Sequence, residues 1–244
     1  MKNLIMTVNV LGACWAMAQP PGLAARRVAE MVTREKPGKI ISVLDVRKEA
    51  TDAFAQSALK VQQMTTVKTV YSHQPKMAKD CGLAVAQKAL KENAQAGAVV
   101  LIIDAGEAPS LAVFPEDRMA VINAQRVQQG AADGKVAAAR MEKEIFRAVA
   151  HIAGGTDEQA NSAMKTVLAA QDLDALVATT FSPSIAMTIA QNVGKFNFST
   201  VETVPYRVAV VRGWAPAPTN DAQRAIWEQV SKSKAKATVT GGGK

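Results

Sequence analysis

The sequence predicts an α/β (α+β) fold: a mixed, mostly parallel sheet with one antiparallel edge strand, packed by helices and followed by an irregular C-terminal subdomain. Three observations predict it. Between residues 40 and 153 segments of helical period alternate with short apolar runs of strand length, the pattern of helices laid on a parallel sheet. Two of the runs, at 111–114 and 119–123, are separated only by the polar turn Pro115-Glu116-Asp117-Arg118, as in an antiparallel pair. Beyond Gly155 the periodicity weakens.

Taken in order, Pro20-Pro21-Gly22 opens a helix in which Leu23, Val28, Met31 and Val32 recur at helical spacing, and Pro37-Gly38 closes it. An apolar run at 40–46 is the first strand. Residues 49–62 return to helical period through Ala50, Phe54, Ala58 and Val61. The β-branched stretch 65–71 is a second strand. A long helix runs from Pro75 to about Gln95, with Met77, Cys81, Val85 and Leu90 along one side. The nearly continuous apolar run 98–103 has the character of a strand buried on both faces. After the two short strands a strong helix covers 136–153 and ends at Gly154-Gly155. Short helices follow near 171–178 and 184–193, then a strand at 206–211. The connector GWAPAPTN carries Trp214, a core anchor for the last helix. Asn220 with Gln223 starts that helix, which bears Ile226, Trp227 and Val230. Residues 19–230 form one domain in this reading, and 231–244 a flexible basic tail.

Composition narrows the chemistry. Of 244 residues 48% are apolar and 20% charged, enough for a core and inconsistent with wholesale disorder. Two histidines and two cysteines exclude a Cys-rich zinc ribbon, a disulfide framework and a three-histidine metal site. The net charge is +8 (29 basic minus 21 acidic), but four lysines without any acid lie in SKSKAKATVTGGGK at 231–244. With 5% aromatic residues the excess gives salt-sensitive contact at most, with no specific nucleic-acid recognition.

The first 18 residues read as an export signal. Lys2 supplies the positive start, residues 4–13 are mostly apolar, and Ala16-Met17-Ala18 fits the small-x-small cleavage rule. The mature chain then begins at Gln19 and is secreted or periplasmic. The alternative is a lipoprotein, with Cys14 in Leu11-Gly12-Ala13-Cys14 as its lipid anchor. No other stretch is long and apolar enough for a transmembrane segment.

No Gly-rich phosphate loop, GxSxG elbow or dinucleotide fingerprint occurs, and nothing local marks a nucleophile for His73 or His151. The acidic pairs Asp172/Asp174 and Glu116/Asp117 read as solvated turns or helix starts. One segment is informative. KEIFRAVAHIAGGTDEQANSAM, from Lys143 to Met164, resembles the active-site helix of the metzincin metallopeptidases, most closely the archaemetzincins. The resemblance covers residues 40–190, including the order of strands and helices, and implies a metzincin-like fold.

That family's motif is HExxHxxGxxH, later followed by a methionine turn. Two histidines one helical turn apart grip zinc, the glutamate activates its water, the glycine turns the chain, and a third ligand completes the set. Aligned on it, the first ligand position is Arg147, the glutamate position Ala148, the second ligand His151, the turn glycine Gly154 and the third ligand Asp157, with Met164 near the methionine turn. Spacing survives at His151, Gly154 and Asp157; Arg147 and Ala148 break the chemistry. The second, four-cysteine zinc site of archaemetzincins maps to Glu158, Ser162, Ser182 and Ile185, so all four thiols are absent.

The resemblance with these departures implies a degenerate site, no zinc cofactor and no catalytic residue. Arg147 is then expected to replace the metal structurally, its guanidinium bonding Asp157 across the helix end with His151 packed beside them. Glu144 shares the His151 side of the helix, but seven residues separate them by about 10 Å, too far for one metal. The resulting function is an exported, non-catalytic binding or structural module. The substrate-side edge at Leu111, Ala112, Val113 and Phe114 would take an extended peptide or envelope protein. The alternative is a divergent zinc metallopeptidase using His151, Asp157 and Glu158. A third reading, a binder of anionic surfaces, uses the tail and Arg26/Arg27.

Overall fold

The computed structural model describes residues 31–49, 52–79, 82–158, 162–176 and 180–240. The export signal, Cys14, Arg26/Arg27 and Cys81 lie outside them. The elements are β1 (Met31–Lys36), β2 (Ile40–Asp45), α1 (Asp52–Thr65), β3 (Thr69–His73), a 3-10 turn (Pro75–Lys79), α2 (Leu83–Glu92), β4 (Ala96–Ile103), β5 (Leu111–Phe114) and β6 (Met119–Asn123). Then come α3 (Ala124–Gln128), α4 (Gly134–Ile152), α5 (Asp172–Ala175), α6 (Pro183–Lys195), β7 (Thr200–Pro205), α7 (Tyr206–Val211) and α8 (Asp221–Thr240).

The main sheet has the order β3-β2-β4-β6-β5. β3, β2, β4 and β6 are parallel, and β5 pairs antiparallel with β6 at the edge, Leu111 opposite Ile122 and Phe114 opposite Met119. All eight residues of β4 are buried because the sheet is covered on both faces. On one face Ile41, Val43, Val100, Ile102 and Ile122 pack against Phe54 and Val61 of α1 and Met141, Ile145 and Ile152 of α4. On the other, Leu44, Val99, Leu101 and Met119 pack against Val85 and Ala86 of α2.

α4, the longest helix of this layer, starts where Asp133 Oδ1 accepts from the backbone N–H of Lys135 and Val136. It ends at Gly154, whose φ of 89° suits a residue without Cβ; an added Cβ would collide with the Asn192 amide. That amide in turn donates to Ala153 O at 2.9 Å.

The chain divides into two compact units, one of residues 35–202 and the other containing 31–34 with 203–240, where the sequence suggested one domain. The second unit has its own small core: Val32, Val204, Tyr206, Ala209 and Val210, with Trp214, Ile226 and Val230 against it. Tyr206 Oη donates to Pro216 O at 3.1 Å, so the connector with Trp214 packs inside this unit.

Several elements differ from the sequence reading. Residues 31–36 are a strand, not the end of a helix: they pair with β7, and Val32, 9% exposed, is the one residue of the six that is buried. The β-branched run 206–211 is helical, because it buries Tyr206, Ala209 and Val210, at helical spacing; the strand precedes it at 200–205. The long helix expected from Pro75 is a 3-10 turn and a separate α2 beginning after Gly82, whose φ of 94° interrupts helical geometry. α1 runs to Thr65 and Thr66 takes a φ of 60°, which moves the next strand to 69–73. α8 continues to Thr240, where a flexible tail was expected from 231; Ala and Lys are strong helix formers and carry the helix on.

Candidate functional site

α4 is buried almost all round over residues 144–150, so any polar side chain there needs a partner inside the protein. Its polar residues Arg140, Glu144, Arg147 and His151 recur at offsets of four, three and four, one continuous stripe. Each meets a partner. Arg147 Nη1 donates to Glu144 Oε2 at 2.8 Å, with side chains 5% and 0% exposed. Glu144 Oε1 accepts from Ser110 Oγ at 2.7 Å, tying the helix to the residue that precedes β5.

Past the glycine turn the chain brings Asp157 back over the helix end. Its Oδ1 lies 3.3 Å from Arg147 Nη2 and 3.2 Å from His151 Nε2. The imidazole bonds Gly155 O through Nδ1 at 2.9 Å. Arg147 Nε has no partner among the described residues. Ala148 and Met164 are both fully buried in the main core. The five positions Glu144, Arg147, His151, Gly154 and Asp157 thus form one assembly at the C-terminal end of α4.

Burial pushes the His151 pKa below its usual value, outweighing the Asp157 carboxylate and the Gly155 carbonyl, which favour the imidazolium; Arg147 adds to the lowering. The neutral ring keeps its proton on Nδ1 for Gly155 O. Protonation would place a second N–H on the Asp157 oxygen already held by Arg147.

Glu158 turns elsewhere. Its Oε1 accepts a short hydrogen bond from Ser182 Oγ, and its backbone N–H donates to Met164 O at 2.9 Å. The Ser162 and Ser182 hydroxyls hold the Glu158 carboxyl below the usual carboxylate range. Ser162 Oγ also accepts from Met164 N, at 3.1 Å. Ser182 caps α6 by accepting from the N–H of buried Ile185 at 3.4 Å. Glu158, Ser162, Ser182 and Ile185 are therefore gathered in a second cluster, and His151 and Asp157 meet without Glu158. Glu158 Oε2 has no partner among the described residues.

Sequence reasoning set Glu144 aside because it is too far from His151 to share a metal, and so missed it as the partner of Arg147. The signal was the polar stripe on a helix otherwise apolar enough to be buried. The stripe also holds Arg140, 1% exposed, whose Nε and Nη2 bond Asp174 at 2.8 and 2.6 Å. Asp174, in the first turn of the short helix α5 and 47% exposed, is thus an ion-pair partner as well, and the guanidinium lowers its pKa. Asp172 does start a helix, accepting from the N–H groups of Leu168 and Ala169. A third buried group, Asp45, accepts from Arg47 at 2.7 Å and Tyr71 at 2.9 Å at the end of β2, with no sequence motif to announce it.

Leu111–Phe114 is the outermost strand of the sheet, next to this assembly through Ser110. Leu111 and Val113 turn to the core shared with α4, whereas Phe114 is 37% exposed.

Among the described residues no three His, Cys, Asp or Glu side chains are grouped to hold a metal ion. No helix there is long and apolar enough to cross a membrane. No family model matches the chain, and no curated protein matches its sequence. Solved structures do. A zinc-dependent peptidase from Methanocorpusculum labreanum overlaps 61% of this chain and 99% of its own, at 10% identity and a TM-score of 0.49. An archaemetzincin from Archaeoglobus fulgidus, complexed with malonate, overlaps 61% and 98%, at 13% identity and 0.47. The chain is likewise similar to an archaemetzincin from Methanopyrus kandleri, over 64% of this chain and 96% of that one, at 14% identity and a TM-score of 0.47.

Proposed function

We propose that this protein is an exported, non-catalytic module of metzincin-like architecture, which binds an extended peptide along β5 and uses no zinc. One observation carries the reading: the Arg147 guanidinium lies between Glu144 and Asp157, at 2.8 and 3.3 Å, where the motif would place the first metal ligand. The donor set does not fit a dication. A catalytic zinc takes three protein ligands and an open position, whereas here there are two candidate donors, His151 and Asp157, and the Asp157 oxygen that faces His151 also faces a permanent cation, Arg147. Ala148 offers no general base.

What the arrangement does chemically is hold the helix end, the Gly154 turn and Ser110 together. That fixes the residue from which β5 starts, so a strand edge is presented on a rigid support. Main-chain hydrogen bonds from such an edge bind extended peptides irrespective of hydrolysis.

The test is elemental analysis of the purified protein after equilibration with excess zinc and desalting. A folded protein with no bound zinc is expected. Near-stoichiometric zinc that is lost in His151→Ala would overturn the proposal and favour a peptidase built on His151, Asp157 and Glu158. Export is tested by N-terminal sequencing of the cell-derived protein: Gln19 is expected, a lipidated Cys14 would make it an anchored lipoprotein, and retention of Met1 would refute export.

A further inference from the structure

We propose that the segment taken by β5 is basic, with Lys or Arg side chains flanking a short β-branched or apolar centre. This rests on the reading of β5 as a peptide edge and adds what selects the peptide. β5 has β6 as its hydrogen-bonded neighbour and ends the sheet. Its own residues, Leu-Ala-Val-Phe, include no charge and no proline, two of the devices that block pairing at an edge.

The flanks are different. From 104 to 118 the chain holds four acids, Asp104, Glu107, Glu116 and Asp117, against one cation, Arg118, in a protein whose net charge is +8. All four acids are exposed. Glu116 and Asp117 occupy the turn that leaves β5, closed by Arg118 N–H to Pro115 O at 3.0 Å. Asp104 and Glu107 stand on the loop that enters it. Arg126 approaches Glu107 at 3.6 Å, yet the Glu107 side chain is 95% exposed.

The entering loop is held in place. Asn123, 2% exposed at the end of β6, donates to Gly106 O and Ala108 O at 3.0 and 2.9 Å and accepts from Ala105 N–H at 3.0 Å. The two acidic groups thus flank opposite ends of β5, a strand about 14 Å long. An extended partner meets both with cations roughly four to six residues apart. A second copy of the chain is disfavoured by the same charges. Antiparallel pairing of β5 with itself would lay the acidic turn of one copy beside the acidic loop of the other.

The test uses the whole protein and three labelled, end-blocked peptides that share a Thr-Val-Thr-Val centre, flanked on both sides by Lys-Lys, Ser-Ser or Glu-Glu. Binding is read by fluorescence anisotropy at 50 and 500 mM salt. The lysine peptide is expected to bind at least ten-fold more tightly than the serine peptide at low salt, with the ratio shrinking at high salt. The double change Glu116→Lys and Asp117→Lys, confined to an exposed turn, is expected to remove most of that ratio and leave the serine peptide unaffected. Equal binding of the lysine and serine peptides overturns the charge selection and leaves the peptide edge standing. Preference for the glutamate peptide, or a lysine preference that the double change does not alter, also overturns it. Binding of none of the three overturns the peptide edge itself. A dimer in sedimentation that the lysine peptide does not dissociate would assign the edge to a second copy.

Discussion

Asp157 and Glu158 are chain neighbours whose carboxylates enter two different environments. Asp157 joins Arg147 and His151 at the end of α4, backed by a Glu144 with no exposed side-chain surface. Glu158 joins the hydroxyls of Ser162 and Ser182. Both clusters stand where the resemblance to archaemetzincins would place a metal. They are filled by different chemistry: a buried ion pair in the first, neutral hydroxyls and a helix cap in the second. The difference lies in what each charge meets: the Arg147–Glu144 pair is buried on both sides, where a charge must be matched by a charge, whereas the single carboxylate of Glu158 is held by hydroxyl hydrogen bonds.

The contrast is broken most directly at Glu144. Glu144→Ala leaves Arg147 buried without its closest partner and is expected to destabilise by about 3–5 kcal/mol in urea denaturation. The double change Glu144→Leu with Arg147→Met removes both charges and should recover most of that loss. A single-variant cost under about 1 kcal/mol would mean that water reaches the pair, and the requirement for a matching charge would fall.

Ser182→Ala removes the cap of α6 as well as the bond to Glu158, with an expected cost of about 1 kcal/mol. Asp157→Asn should cost less than about 1 kcal/mol, since its side chain is 44% exposed and Glu144 still pairs with Arg147. A loss as large as that of Glu144→Ala would show Asp157 to be the true counter-charge.

The clusters also separate by pH. The His151 pKa is depressed in the folded state, so the unfolded chain binds the proton more readily; stability is complete above about pH 6.5 and falls as pH drops below it. Glu158 is depressed too, but as a carboxylate, so its contribution persists down to about pH 4.5 and is lost below. Denaturation midpoints from about pH 2.5 to 8 are expected to decline in both windows. His151→Gln should flatten the upper one alone, and Glu158→Gln the lower one alone.

Much of this architecture is legible residue by residue. The continuous apolar run of β4 and the period of α4 each admit one assignment. The turn at 115–118 permits only an antiparallel pair, so β5 and β6 emerge with the boundaries read from sequence. Local pattern failed where it was ambiguous. YRVAVV suits a strand by composition, and its helical form follows from burying Tyr206, Ala209 and Val210 together. At the site, the resemblance to the metzincin motif put Arg147 and Asp157 at ligand positions of one site, and their side chains meet at 3.3 Å.

The sequence by itself determined the parallel sheet with its antiparallel edge, the absence of thiols and of two histidines at the positions the metzincin resemblance marks, and the presence of a cation at Arg147. These are local properties of residue type and period. The tertiary structure decided which carboxylate answers that cation. Glu144 and Asp157 were both within reach along the chain, and the packing of α4 onto the sheet and its neighbours removes Glu144, but not Asp157, from water. Burial is a sum over neighbours distant in sequence, so no single segment records it.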